Sequence, residues 1–298
     1  MKHQAEPPKS APLVRGRLIE IPAGRRLRVV SEGPLGPGPA VWCEAGAFGD
    51  ASDWAAVQAL LAARGVRSHA YDRAGLGGSD PAPGPRDARA IAADLEALIA
   101  AAGEAGPFVL VGHSFAGLLL RVFAAAQPAQ VAGLVLVDAL NPNADPARMR
   151  YASGAFSQLA RVTAHVSGAG LLRAFEGFAD PIGLPAPAKA DKRRSFFSPS
   201  HTAGAALEAA SMARSFAQAR DAAPYDAAWP AARVDVRRLS AARRAALGKT
   251  EPAADFLHVE EVPGATHANL LGERFAQHVA AAIMIVIEVR ARRAHASA

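Results

Sequence analysis

Phe108-Val109-Leu110-Val111-Gly112-His113-Ser114-Phe115-Ala116-Gly117 passes from an apolar run to small residues around one serine. The run is long enough for one buried strand, and Leu118 to Gln127 then read as an apolar helix. A strand that turns sharply into a helix brings two backbones close together, so the turn needs small side chains. Gly112, Ala116 and Gly117 supply them. The turn holds the Ser114 hydroxyl above the strand end, at a helix N-terminus whose free N–H groups favour negative charge. This is the Gly-x-Ser-x-Gly elbow with Ala116 in the last small position. A bare Gly-x-Ser would more simply be a buried serine starting a helix; the strand before it and the helix after it favour a nucleophile.

On the N-terminal side, Arg17–Ile21 and Leu27–Ser31 form a candidate hairpin about Pro22-Ala23-Gly24. Ala40–Glu44 and Val66–Tyr71 read as buried strands, separated by an amphipathic helix over Asp53–Arg64 with Ser52 or Asp50 as its cap. Asp72–Asp80 is a glycine-rich turn. Arg86–Ala102 is a helix with Ile91, Leu95, Leu98 and Ile99 on one face. On the C-terminal side, Val131–Val137 is an apolar strand ending at Asp138. Strands over Val234–Leu239 and Phe256–Val262, a helix over Ala241–Leu247 and a closing helix from Gly272 complete the pattern. Short apolar strands alternating with helices predict a mostly parallel sheet covered on both faces. From Pro142 to Trp229 only helical stretches occur, too many residues for a plain connection, which predicts an inserted helical unit.

The chain has 298 residues, about half of them apolar, enough for a sizeable core. Its net charge of +6 is spread along helices and ends, including Arg233–Arg244 and the tail Arg290–Arg293, and not gathered with aromatics in a nucleic-acid-binding module. The single cysteine, Cys43, excludes an intrachain disulfide and falls inside a strand, so it is expected in the core. Met1–Pro12 has no apolar stretch of a signal peptide, and Ala280–Val289 is too short to span a bilayer. A cytoplasmic protein without a membrane span is the expectation; oligomeric state is not set by the sequence.

A serine nucleophile needs a base, a group to orient that base, and N–H donors for the oxyanion. In an open parallel sheet these gather beyond the carboxyl ends of the strands. Of nine histidines, only His267 sits in a loop directly after a strand and before a helix. His113, beside the nucleophile, is expected to point away from it. Glu251 and Asp255 precede the last strand, which puts them about 25 Å from His267 at ~3.3 Å per residue. Asp138 closes a strand at the correct end, and the order Ser114, Asp138, His267 suits such a site. The alternative for Asp138 is a carboxylate capping the chain as it leaves the strand. Backbone N–H groups of Phe115 and Ala47 are the expected oxyanion donors. Candidate substrate contacts are Phe48, His113, Phe175 and Phe178.

With Gly46 and Ala47 in the oxyanion loop, the Asp72-Arg73-Ala74-Gly75 turn, the elbow at Ser114 and His267 before the last helix, the chain resembles the α/β-hydrolase superfamily. The likeness covers roughly residues 17–141 and 231–289. It implies an α/β fold with an eight-stranded, mostly parallel sheet and a helical cap. The core would be residues 13–141 and 230–291, the cap 142–229, and the tails 1–12 and 292–298. Two departures stand out. Ala45 occupies the position of a histidine found in many members. The usual acid position after the seventh strand, near Ser240–Arg244, holds no carboxylate. Some members, including a branch resembling haloalkane dehalogenases, place the acid after the sixth strand, two dozen residues beyond the nucleophile, where Asp138 stands. Serine at the nucleophile argues against dehalogenase or epoxide hydrolase chemistry itself.

The resulting expectation is a serine hydrolase, carboxylesterase-like, cleaving esters with apolar acyl or aryl groups through an acyl-enzyme, with no metal or organic cofactor. Phe156, Leu171, Leu172, Phe175, Phe178, Phe196, Phe197, Met212 and Phe216 of the inserted segment would line its pocket or form the segment's own core. Cleavage of a C–C bond, lactone or amide, and a non-catalytic ligand-binding scaffold, are the alternatives.

Overall fold

The apolar runs become the strands of one sheet. In a computed structural model, which describes residues 15–22, 24–142, 158, 162, 180–196, 198–222, 229–236 and 258–296, these are β1 (Arg17–Ile21), β2 (Arg25–Glu32), β3 (Val41–Glu44), β4 (Ser68–Tyr71), β5 (Phe108–His113), β6 (Val131–Val137), β7 (Ala231–Asp235) and β8 (His258–Glu261). They lie in the order β1-β2-β4-β3-β5-β6-β7-β8. β2 runs antiparallel to β1 and β4, and the pairs from β4 through to β8 are parallel.

Alternation along the strands divides the core. Leu110, Leu134 and Leu136 face one side, packed with α2 (Ala88–Ala102) and α3 (Ala116–Ala126). Val109, Val111, Val135 and Val137 face the other, with α1 (Ala55–Ala62) and α6 (Ala276–Ala296). Each fully buried Leu or Val is worth about 1.5–3 kcal/mol. Ile91, Leu95, Leu98 and Ile99 form the buried face of α2 as the spacing predicts. The Asp87 carboxylate caps that helix by accepting the Ala90 N–H, and Gly103 ends it at φ 72°. Asp50 caps the single turn Ala51–Trp54 that leads into α1. Cys43 is buried, and burial pushes its thiol far up from the ordinary value.

Several predicted bounds move, and among the starts those of β7 and of the closing helix move furthest. β7 begins at Ala231, three residues before the expected Val234. Alanine carries little strand signal, and Arg233 reads as surface although it is fully buried. Its guanidinium donates to Asp235 Oδ2 at 2.7 Å and to Ala139 O at 3.0 Å, which compensates the burial. The closing helix starts at Ala276 rather than Gly272. The expected helix over 241–247 lies outside the described residues.

Between β6 and β7 the described part of the insertion is helical: α4 (Ala186–Phe196) and α5 (Pro199–Asp221). Both are tied to the sheet by buried charge pairs, Arg28 with Asp191 at 2.7 Å and Arg73 with Glu208 at 2.7 Å. Met212 and Phe216 of α5 join the core shared with α2 and α3. No helix among the described residues is long and apolar enough to cross a membrane.

Candidate active site

At the end of β5 the backbone turns within two residues. Ser114 adopts φ 55°, a left-handed conformation that costs a non-glycine residue energy and aims its side chain out of the turn. The elbow is stitched to the neighbouring strand exit: Ser114 N–H donates to Val137 O at 3.1 Å, and Leu140 N–H donates to Ser114 O at 2.8 Å. A Cβ on Gly117 would lie 2.6 Å from Leu140 O, and one on Gly112 would lie 2.7 Å from Leu120 Cδ1. The small residues are therefore imposed by close approach.

Asp138 leaves β6 at φ 40°, its N–H donating to Val234 O at 2.7 Å. His267 follows β8. The structure brings the three predicted side chains into one chain of contacts: His267 Nε2 is 2.9 Å from Ser114 Oγ, and His267 Nδ1 is 2.6 Å from Asp138 Oδ2. A carboxylate only accepts, so the network assigns the proton to Nδ1 and leaves the Nε2 lone pair facing the serine hydroxyl.

His113 does not point away as expected. It lines the same cleft as Ser114 and His267, its ring 4.6 Å from that of His267. Its Nε2–H donates to the His267 carbonyl at 3.0 Å. Loss of hydration, then the neighbouring His267 ring, lower its pKa to about 3, so His113 stays neutral at neutral pH.

The loop after β3 crosses directly over the elbow: a Cβ on Gly46 would sit 3.0 Å from His113 Nδ1 and 3.1 Å from Ser114 Cβ. Its carbonyls are held by cationic and imidazole donors. Arg73, fully buried, donates to Ala45 O at 2.7 Å and Gly46 O at 2.8 Å, and is itself paired with Glu44 and Glu208. Tyr71 donates its hydroxyl to Glu44 as well. C=O and N–H of a trans peptide point in opposite directions. Holding the Gly46 carbonyl on Arg73 therefore turns the Ala47 N–H to the other side of the loop. Phe48, at φ 58°, has its carbonyl bound by Lys192 Nζ and His201 Nε2, both at 3.3 Å. His201 Nδ1 accepts the Gly77 N–H at 3.0 Å. Burial lowers the pKa of His201 to about 4, against the pull of Asp50. Phe115 precedes the first turn of α3, where helix N–H groups lack intrahelical acceptors.

These elements enclose a cleft of about 470 Å³. Gly46, Ala47, Phe48, Ser114 and His267 line one side, and Lys189, Lys192, Arg193 and Phe196 of α4 the other. Lys192 also pairs with Asp53 at 2.8 Å; burial raises Asp53 to a pKa of about 6 even so. Phe175 and Phe178 lie outside the described residues, as do Phe156, Leu171, Leu172 and Phe197. No cluster of His, Cys, Asp or Glu suited to a metal ion occurs among the described residues. The sequence reading missed Arg73, Glu208, Lys192 and His201. Arg73 entered only as part of the turn after the fourth strand, Lys192 stands in a run of charges that reads as a solvated face, and Arg73 and Glu208 are 135 positions apart.

The chain belongs to the alpha/beta hydrolase family, whose family model matches residues 41–281. An AB hydrolase superfamily protein of Gibberella zeae is 36% identical over 104 residues, 34% of this chain and 32% of that protein. The chain spans about a third or less of the curated relatives it matches. Among solved structures, an epoxide hydrolase of Vigna radiata superposes with a TM-score of 0.68 at 17% identity, covering 92% of this chain and 98% of the other. A thermophilic esterase of Thermogutta terrifontis gives 0.64 at 21%, covering 92% and 99%. At these identities the structures speak for the fold, and the family supports hydrolase activity.

Proposed function

We propose that the protein is a serine hydrolase that cleaves carboxylic esters through an acyl-enzyme on Ser114. The observation that carries this reading is the unbroken relay Ser114–His267–Asp138, with contacts of 2.9 and 2.6 Å at the carboxyl end of the sheet. Ser114 Oγ attacks the ester carbonyl while its proton passes to His267 Nε2. Asp138 accepts the Nδ1–H and stabilises the imidazolium that forms. Charge on the carbonyl oxygen is met by the Phe115 and Ala47 N–H groups, a contribution worth roughly a hundred- to a thousandfold per donor. His267 returns the proton to the departing alcohol, and water then releases the acid by the same route. A lactone is an internal ester and falls under the same chemistry.

The test is hydrolysis of p-nitrophenyl esters of graded acyl length by the wild type and Ser114→Ala. Turnover by the wild type, with loss of at least about a thousandfold in the variant, is expected. Equal rates in both would remove the reading, and a folded wild type inert on the whole series would favour a ligand-binding scaffold.

A further inference from the structure

Across the cleft from Ser114, α4 presents Lys189, Lys192 and Arg193 from successive turns. Like charges three and four residues apart on a helix repel. Two carboxylates share the cleft, and both are already engaged by protein groups. Asp53 accepts from Lys192 at 2.8 Å and from the Asp50 N–H at 3.3 Å. Asp180 accepts the N–H groups of Ile182, Gly183 and Leu184 at 3.1, 2.9 and 2.7 Å. Lys189 stands 3.6 Å from Asp180 and keeps 37% of its side chain exposed. Arg193 is exposed and has no carboxylate partner among the described residues. Lys192 lies 3.6 Å from the buried Asp50 as well. Arg193 is thus the one of these three cations that no carboxylate engages among the described residues, and Lys189 stands one turn away. Phe48, Ile182, Leu184 and Leu271 make the rest of the wall apolar.

We infer that the substrate is an ester bearing one free carboxylate, which Arg193 and Lys189 hold while the ester carbonyl lies at Ser114. The inference rests on the ester-hydrolase reading above and narrows its substrate class. A guanidinium matches a carboxylate with two parallel hydrogen bonds, and an apolar wall on either side strengthens them. Water adds across the ester C–O bond, giving an alcohol and an acid, while the second carboxylate takes no part in bond making.

The test compares two pairs of esters that differ by a carboxylate. Mono-p-nitrophenyl glutarate against p-nitrophenyl pentanoate places the charge on the acyl side; p-carboxyphenyl pentanoate against phenyl pentanoate places it on the alcohol side. Ser114→Ala serves as the blank for spontaneous hydrolysis. In at least one pair the wild type should favour the anionic ester in kcat/KM. Arg193→Gln should cut that preference by about tenfold, through KM, and Arg193→Glu should reverse it. Added salt should weaken the wild-type preference. Turnover of the neutral esters with no preference in either pair, or a preference that both Arg193 variants leave intact, would overturn the inference. A wild type that cleaves none of the four would remove the parent reading and this one together.

Discussion

Ser114 sits where the backbone pays for its position: φ 55° at the serine, φ 40° at Asp138 and φ 58° at Phe48 are three non-glycine residues in the left-handed region within one site. Close packing around the elbow holds the first of them. Gly117→Ala would drive a Cβ into the Leu140 carbonyl, 2.6 Å away, and that carbonyl belongs to the segment that follows Asp138. We expect a loss of about 1–3 kcal/mol in urea unfolding together with reduced turnover; unchanged stability would show that the elbow has room to relax. Asp138→Asn keeps the shape of the side chain but can present an N–H to His267 Nδ1, favouring the wrong tautomer. By analogy with the serine-protease triad, kcat should fall about ten-thousandfold. Near-normal kcat would move the acid role to another carboxylate. Ser114, Asp138 and His267 were legible in the sequence because each marks the boundary of an element, where strand and helix patterns stop. Glu44, Arg73 and Glu208 were not, because a buried charge cluster looks like surface until the segments that hold it are brought together.

At the scale of elements, α4 and α5 do more than cover the sheet. Through Lys192 and His201 they bind the Phe48 carbonyl, and through Glu208 they fix the arginine that holds the Ala45 and Gly46 carbonyls. The loop after β3 is thereby set from the inserted helices as much as from β3. His201 gives this link a pH signature. In the folded protein it stays neutral down to about pH 4, whereas the unfolded chain takes up the proton near the ordinary value of 6.5. Between those values the unfolded state binds more protons. Stability contributed by neutral His201 is therefore complete above pH 6.5 and lost as pH falls, by up to ~1.4 kcal/mol per pH unit. Other groups titrate in the same range, so the difference between wild type and His201→Gln isolates the effect. From pH 7 to pH 5 the wild type should lose about 2 kcal/mol more than the variant in urea unfolding; parallel losses would show that His201 titrates normally. The helical nature of this segment was readable from its lack of strand-like runs. Its contacts were not, since the buried face of α5 mixes His201, Glu208 and Ser215 with Ala205, Met212 and Phe216 and presents no simple apolar stripe. The shift of β7 has a related cause: Ala-Ala-Arg reads as helix or surface, and only the sheet on both sides makes it a strand.

For the molecule as a whole, the parallel strands β3, β5, β6 and β8 bring the Gly46–Phe48 loop, Ser114, Asp138 and His267 to the carboxyl end of the sheet, and α4 lines the cleft from the far side. The sheet itself is a rigid platform with two apolar layers, so the positions of the reacting groups are determined by strand register: Gly112 of β5 pairs with Leu136 of β6, and Val137 pairs with Val234. One register step would carry Asp138 about 3.3 Å along β6 and separate it from His267. This assembly should make Ser114 a nucleophile rather than an ordinary hydroxyl at the start of a helix. Reaction with a fluorophosphonate, followed by peptide mass spectrometry, tests it most directly. We expect a single adduct on Ser114, with ester hydrolysis lost in proportion to labelling; a folded protein that stays unlabelled, or is labelled elsewhere while Ser114 remains free, would rule out a nucleophilic Ser114.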